Sequence, residues 1–568
     1  MTTRVKATAT YDYIVIGAGS AGCVVAGQLA ADGHTRVLLL ESGATAEEHP
    51  ETLEAAGYKK AFINDALMYD RYSAPQAACG NHRLFVGTGR GVGGSGAVNA
   101  MVYTRGSAHD YAMWDAPGWT WDDVVPAFAE LEARLHVSRK PPTRWTEACI
   151  AAAEQAGFRR KEDLNDGDLG GFLGYEWMNI EGDARRNSYV AFVKPLAGRA
   201  NLTVQTRATV RRILLARGRR EFGVTPRAVD SAQPRAVGVE YDRDGLVTEA
   251  YAAREVVVCA GALETPKLLM LSGIGPADEL RTHGIDVVVE SPHVGRNLMD
   301  HPNVQVFFRG RAPTDCDWAQ LYGFHRANDE TELKAGEPDS CYVFYSARSS
   351  FREGAIRILP GIALPQPLYR EAWLRDGFRN LLKGVFALPP VRSFVQRMYG
   401  VVVILGKPKS RGRVGLASRD ATVAARVDLG YFTAPEDLQT LVKGVALARR
   451  VVAAPALAAW GNRELLPGAR VASAEQVAAW IRANVMTTYH FAGTCKLGTA
   501  ADSVVDLELR VRGVRGLRVA DASVIPSVPV SALNAPSMLV GWRAAELLRA
   551  AERAKPRERA ASAAAIEI

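Results

Sequence analysis

Gly17, Gly19 and Gly22 stand at G-x-G-x-x-G spacing, directly after the apolar run YDYIVI and before the small-residue stretch Ala21 to Ala31. Each glycine has its own task in such a turn. Gly17 lets the chain reverse tightly, Gly19 lets backbone approach a pyrophosphate, and Gly22 lets the next helix pack closely. Ser20 and Ala21 open that helix, whose free N–H groups and partial positive charge suit phosphate. Glu41 and Ser42 close a second apolar run, RVLLLESG, where a carboxylate can accept hydrogen bonds from ribose hydroxyls. Strand, turn, helix, strand and terminal acid in register predict a βαβ unit that binds a dinucleotide. The unit alone does not choose between FAD and NAD.

Other residues carry weaker local signals. The glycine density of Gly87 to Gly96 is what backbone running close to a flat ring and a pyrophosphate requires. His490, in TTYHFAGT, and Asn534, in NAPSML, suit proton chemistry, yet a lone histidine is usually structural and Asn-Ala-Pro can simply cap a helix. His82, His109 and His301 read as structural. The seven cysteines are odd in number and far apart, with no C-x-x-C pair, which argues against a disulfide framework and against a zinc site. No metal is expected, and a reducing cytoplasm fits.

These residues need a large scaffold, and 568 residues allow two to four domains. Apolar residues at 48% and charged residues at 23% describe a globular chain. The charge of +8 comes from 69 Lys and Arg dispersed among 61 Asp and Glu, with no basic stripe for nucleic acid. No export signal or membrane-length apolar run is visible. Residues 1–10 read as a leader and 551–568 as a flexible tail. NLTVQTRATVRRILL and REVVVCAGA read as strands, EDLQTLVKGVALARRVVAA and SAEQVAAWIRANV as helices. Residues 365–400 mix aromatic, aliphatic and basic side chains around Pro389-Pro390, as either ordinary surface helices, or a lid or peripheral membrane-touching element that admits apolar substrates.

Longer motifs carry a resemblance. GRGVGGSGAVNAMVYTRGSAHDYAMW (Gly89 to Trp114) and GALETPKLLMLSGIGP (Gly261 to Pro276) resemble the two signatures of the glucose-methanol-choline (GMC) oxidoreductase family. The similarity continues through VGRNLMDHP, KSRGRVGL, TTYHFAGTCKLG, RVADASVIP and NAPSMLVGWRAAELL, in family order over nearly the whole chain. It implies a Rossmann-type α/β FAD-binding domain at 8–312, which includes some substrate-domain segments around 115–190, and at 487–550, with an inserted α+β substrate-binding domain at 313–486 whose sheet faces the isoalloxazine. Beyond the glycine turn, it assigns cofactor contacts to Arg90, Gly93, Gly94, Ser95, Asn99, Ala100, Met101 and Val102. Val210 would reach the adenine, Ala260, Gly261, Asp521 and Ala522 the middle of the cofactor, and Asn534, Ala535 and Pro536 the ring end. An acid at the end of LRVAD also suits a structural turn. His490 matches the family's catalytic base and Asn534 its partner, fixing the substrate hydroxyl while hydride leaves for flavin N5.

Three departures stand out. Gly96 replaces the family's second serine, which removes a hydroxyl near the cofactor and is expected to loosen that loop. The stretch from Leu135 to Trp145 lacks an HGxxGP segment. Where some relatives attach FAD through histidine this chain has Val86, with His82 out of register, so FAD is expected to be non-covalent. The implied function is FAD-dependent oxidation of an apolar primary or benzylic alcohol, with oxygen or a quinone as electron acceptor, by a monomer or homodimer. Two alternatives are a redox-silent FAD protein and a fatty acid photodecarboxylase. For the latter, AIRILPGIAL would supply the carboxylate-binding Arg357 and Cys341 lies upstream, but Tyr489 stands where that group has asparagine.

Overall fold

The computed structural model describes residues 4–5, 9–216 and 233–554. Most of the leader and the tail beyond Ala554 fall outside these residues, while Ala551–Ala554 finish the last helix. Thr10–Ile16 and Val37–Leu40 are rich in Val, Ile and Leu on both faces, as parallel strands covered from both sides must be. They pair in parallel, Tyr13 opposite Val37 and Ile16 opposite Leu40. The sheet runs Leu202–Gln205, Val37–Leu40, Thr10–Ile16, Leu246–Val258, Arg235–Arg243, Ala208–Ala216. Leu517–Val519 lies parallel to the end of Leu246–Val258, so the C-terminal region returns to this domain. Helix Ser20–Ala30 is buried on nearly all sides, between the sheet and the last helix, Asn534–Ala554. Their contact is so close that a Cβ on Gly541 would stand 2.5 Å from the Ala21 carbonyl oxygen.

A second sheet runs Arg463–Leu466, Pro302–Arg309, Met398–Leu405, Ser340–Ser346, Ala319–His325, Phe172–Tyr175, Arg159–Arg160. It is antiparallel apart from its last pair, and its strands are two-faced. Val304, Val306, Phe308, Val401 and Val403 pack with Leu441, Val445 and Val451 of helix Pro435–Ala453, while Asn303, Gln305, Phe307, Val402 and Ile404 face a cavity. The expected boundary at 312 therefore falls one strand late. Pro302–Arg309 alternates like a half-covered strand and belongs with the second sheet, as do two segments before residue 176.

The segment between Ser346 and Met398 is helical: Phe351–Ala363, Gln366–Arg370, Ala372–Ala387 and Pro389–Gln396. These helices form a cap on the cavity. Its underside is tied to the first domain by charge. Arg357 and Arg379 pair with Asp65, and Tyr369 donates to Asp70 at 2.8 Å. Among the described residues no helix is long and apolar enough to cross a membrane, and all seven cysteines are free.

Candidate active site

A cavity of about 1190 Å3 lies between the glycine turn, the second sheet and the cap. That exceeds the roughly 300–1,000 Å3 usual for a ligand site, leaving room for a large cofactor and a second molecule. Its wall is built first by the turn. Gly17 has φ of +98°, and its amide donates to the Leu40 carbonyl at 2.7 Å, joining the turn to the second strand. Gly19 precedes the helix and caps it with no side chain, so the first-turn amides stay free for an anion. A Cβ on Gly19 or Gly261 would meet nothing within 4 Å, and both residues line the cavity. The cradle thus leaves open the space a pyrophosphate needs, and an extended dinucleotide fits the residues present.

All but five of the residues expected to touch the cofactor border this cavity. The exceptions, Gly22, Gly93, Met101, Ala535 and Pro536, lie behind its wall. A Cβ on Gly22 would stand 1.9 Å from the Gly17 carbonyl oxygen, so this glycine serves packing. Gly93 holds the turn from behind, its amide donating to the Ala18 carbonyl at 2.7 Å. Met101 is buried with Tyr58, Met178 and Ile180, and Ala535 and Pro536 are buried in the last helix.

Two acids brace the wall. Glu41 accepts from the amides of Ala18, Gly43 and Gly91 at 3.0, 2.9 and 3.0 Å, so it ties turn to loop as well as bordering the cavity. Asp521 accepts from the Gly261 amide at 2.9 Å, Thr265 Oγ1 at 2.6 Å and the Ser523 amide at 2.8 Å, a turn-holding role. The loop around Gly96 is held without the second serine's hydroxyl. Buried Arg185 donates to the Gly96 carbonyl at 2.9 Å, to Asn99 Oδ1 at 2.8 Å and to the Asn99 carbonyl at 2.7 Å. Burial lowers its pKa to about 9, which leaves it charged at neutral pH.

His490 and Asn534 line the same cavity. Ser20 Oγ donates to Asn534 Oδ1 at 2.7 Å, which leaves the Nδ2 amide with no protein partner among the described residues. A Cβ on Gly96 would stand 2.7 Å from Ser20 Oγ and 3.3 Å from Asn534 Oδ1, so the missing serine makes room for this contact. His490 Nδ1 lies 2.8 Å from His301 Nδ1. One nitrogen must carry the proton and the other accept it. His490 Nε2 has no protein partner among the described residues and is free to act as a base. His301 is therefore not a bystander; it positions the His490 ring. The carbonyls of Pro529 and Gly406 favour a proton on His301, although neither closes a hydrogen bond with its buried Nε2. A His301 proton on Nε2 makes His490 the donor at Nδ1. Burial lowers the His490 pKa to about 4, and that of His301 well below the usual histidine value.

Asp300 holds the loop beneath. It accepts from the His490 amide at 2.7 Å and from the hydroxyls of Tyr431 and Thr487, and burial raises its pKa to about 6. Tyr489, at φ of +61°, gives the loop its sharp entry. Asp300 and Arg185 escaped assignment in the sequence, His301 was read only as structural, and Ser20 only as part of the phosphate-binding helix start. The only signal for Asp300 and His301 was their place in VGRNLMDHP, just before a strand. The photodecarboxylase features do not assemble here. Arg357 is fully buried against Asp65 and does not line the cavity, and Cys341 Sγ donates to the Val530 carbonyl at 2.6 Å. Val86, the position for a covalent link, is buried in a core cluster, and His82 is exposed.

Fold and site together define an oxidoreductase built around a dinucleotide, with a buried histidine at the cavity between the two sheets. Two family models, both described as GMC oxidoreductase, match residues 11–330 and 408–541. The chain is 31% identical to the alcohol dehydrogenase (acceptor) of Pseudomonas putida, covering 95% of each chain. It is 30% identical to the chloroplastic fatty acid photodecarboxylase of Chlamydomonas reinhardtii, over 95% of this chain and 90% of that one. A crystal structure of pyridoxine 4-oxidase from Mesorbium loti superposes with a TM-score of 0.78 at 26% identity, covering 95% of this chain and 99% of that one. The chain belongs to the GMC oxidoreductase family, and is an FAD-dependent enzyme of that kind.

Proposed function

We propose that this enzyme oxidises a primary or benzylic alcohol with an apolar body, non-covalently held FAD supplying a two-electron acceptor at N5 when bound. One observation carries the reading: His490 Nε2 and Asn534 Nδ2, each without a protein partner among the described residues, belong to side chains that line one cavity beside the glycine turn. Asn534 Nδ2 donates to the substrate hydroxyl oxygen and His490 Nε2 takes its proton. The alkoxide so formed expels hydride far more readily than a neutral alcohol does, so proton removal and hydride departure share one geometry. Burial keeps His490 neutral at working pH, the form a base needs. Phe307, Val343, Val402 and Ile404 of the second sheet and Phe351 and Ile358 of the cap give the substrate's body an apolar bed. Oxygen or a quinone then takes the electrons.

Pairing of Arg357 with Asp65 favours an alcohol over a carboxylate substrate. The test is anaerobic addition of an alcohol panel to the flavin-loaded protein. Bleaching of the visible flavin band supports the reading, and His490→Ala should slow it by about 10^2 to 10^4-fold. Fatty acid loss under blue light without dark bleaching would replace it with photodecarboxylation. No reaction of either kind would favour a redox-silent protein. Reoxidation by oxygen against a quinone then identifies the acceptor.

A further inference from the structure

The cap presents an outer face that nothing among the described residues covers. Eight of the thirteen exposed large hydrophobic residues found among the described residues fall between Leu359 and Phe394. Ile362, Trp373 and Leu381 are 73%, 72% and 63% exposed, more than a side chain packed on its own domain shows. In helix Ala372–Ala387 the exposed positions Trp373, Gly377, Leu381 and Gly384, with Leu388 just beyond, recur at helical spacing and form an apolar stripe. The inward side holds Phe386, whose ring packs against Phe351 at 6.1 Å, and Arg379, paired with Asp65.

Charge indicates what meets this face. Arg370, Lys383 and Arg392 are exposed and carry no ion pair among the described residues. Against them stand exposed Glu371 and Asp376, the latter within 3.5 Å of Arg379. Trp and Leu on one stripe with Lys and Arg at its margins are the features of a helix lying in a membrane interface. A second copy of the chain would set these cations near one another, whereas an anionic headgroup layer neutralises them. The cap is also continuous with the cavity: Leu359 and Ile362 are exposed and at the same time line its wall.

We propose that the outer face of the cap docks on an anionic lipid bilayer, so that the cavity opens toward the apolar phase. No described helix could cross the bilayer, so the contact is peripheral. The docking goes beyond the alcohol reading and stands without it, because binding is measured with no turnover. The flavin-loaded protein is floated with phosphatidylcholine vesicles, with and without phosphatidylglycerol. Binding to the anionic vesicles, weakened by salt, is expected. Trp373→Glu with Leu381→Glu should lower it at least about tenfold. Lys383→Ala with Arg392→Ala should lower it about tenfold on anionic vesicles only, each charge contributing on the order of a few-fold or more. All four positions are exposed, so flavin absorbance and thermal midpoint should stay unchanged. The proposal is overturned if the protein floats with neither vesicle, or if the glutamate variant binds as before. It is equally overturned if sedimentation shows a dimer that this variant dissolves, without vesicle binding by the parent.

Discussion

His490 was recognisable in the sequence only because a family motif surrounds it, and the structure explains what the motif could not. Its ring is set from behind by His301, its backbone from below by Asp300, and its partner Asn534 is oriented by Ser20. None of these contacts joins sequence neighbours except through the Asp300-His301 pair, so spacing rules had nothing to detect. In the proposed role the active form of His490 is the neutral one, so activity should be lost as pH falls through its pKa. Burial has moved that pKa down to about 4, and the acid limb of kcat/KM should therefore lie well below the usual histidine value of roughly 6.5. His301→Ala opens a space that water can enter, which relieves the burial of His490. The limb should move up toward ordinary histidine, and kcat should fall by roughly 10- to 100-fold as the ring loses its fixed direction. An unmoved limb would reduce His301 to a packing residue. Gly96→Ser tests the other side of the site. Its Cβ would crowd Ser20 Oγ, so the Ser20–Asn534 hydrogen bond should break and kcat drop about tenfold, with flavin content retained.

The glycine turn was legible in full because each of its residues obeys a local rule: strand period, turn, helix start, terminal acid. The division of tasks among its three glycines, read from the sequence, can be measured. Gly19 has φ of −80°, which alanine adopts freely, and its added methyl would project into open cavity. Gly19→Ala should therefore keep the thermal midpoint of the cofactor-free protein while weakening FAD binding. Gly22→Ala drives a methyl against the Gly17 carbonyl, and should lower the midpoint by several degrees, for an overpacking penalty of about 1–3 kcal/mol. If both variants lost stability alike, the open space at Gly19 would not be a binding surface. Strand Pro302–Arg309 was harder to place. Its alternation shows that it is two-faced, but its membership in the second sheet depends on pairing with Met398–Leu405, about 90 residues away, which no local pattern reports. The segment 365–400 left two readings open for a similar reason. Periodicity marks an amphipathic helix but does not say which of its faces is covered.

At the level of the assembled chain, the two sheets and the cap meet around one cavity, and in the cap the helices Ala372–Ala387 and Pro389–Gln396 bury no apolar side chain. Its hold on the first domain depends on a group of opposite charges. Arg357, Arg375 and Arg379 descend from the cap onto Asp65 and Asp70, which lie on the loop after the short helix Tyr58–Phe62. Burial by itself would raise the Asp65 pKa, but Arg379 and Arg357 outweigh it and hold the carboxyl below its ordinary value. The sign of the pH effect follows. A carboxylate whose folded pKa is depressed contributes stability above its unfolded pKa near 3.9, and that contribution is lost as pH falls through the lower folded value. Cap attachment should thus be constant from neutral pH down to about 4 and weaken below it, read as faster amide exchange in residues 351–396 than in the two sheets. Asp65→Asn with Asp70→Asn should produce that release at neutral pH. It leaves the fully buried guanidinium of Arg357 without a counter-charge, a change of roughly 3–5 kcal/mol in comparable buried pairs. Arg357→Met should be far milder, because the charge and its burial penalty leave together, whereas the Asp variants strand it. If the methionine variant released the cap as readily as the asparagine pair, the lost pairing itself, and not a stranded buried charge, would be what frees the cap.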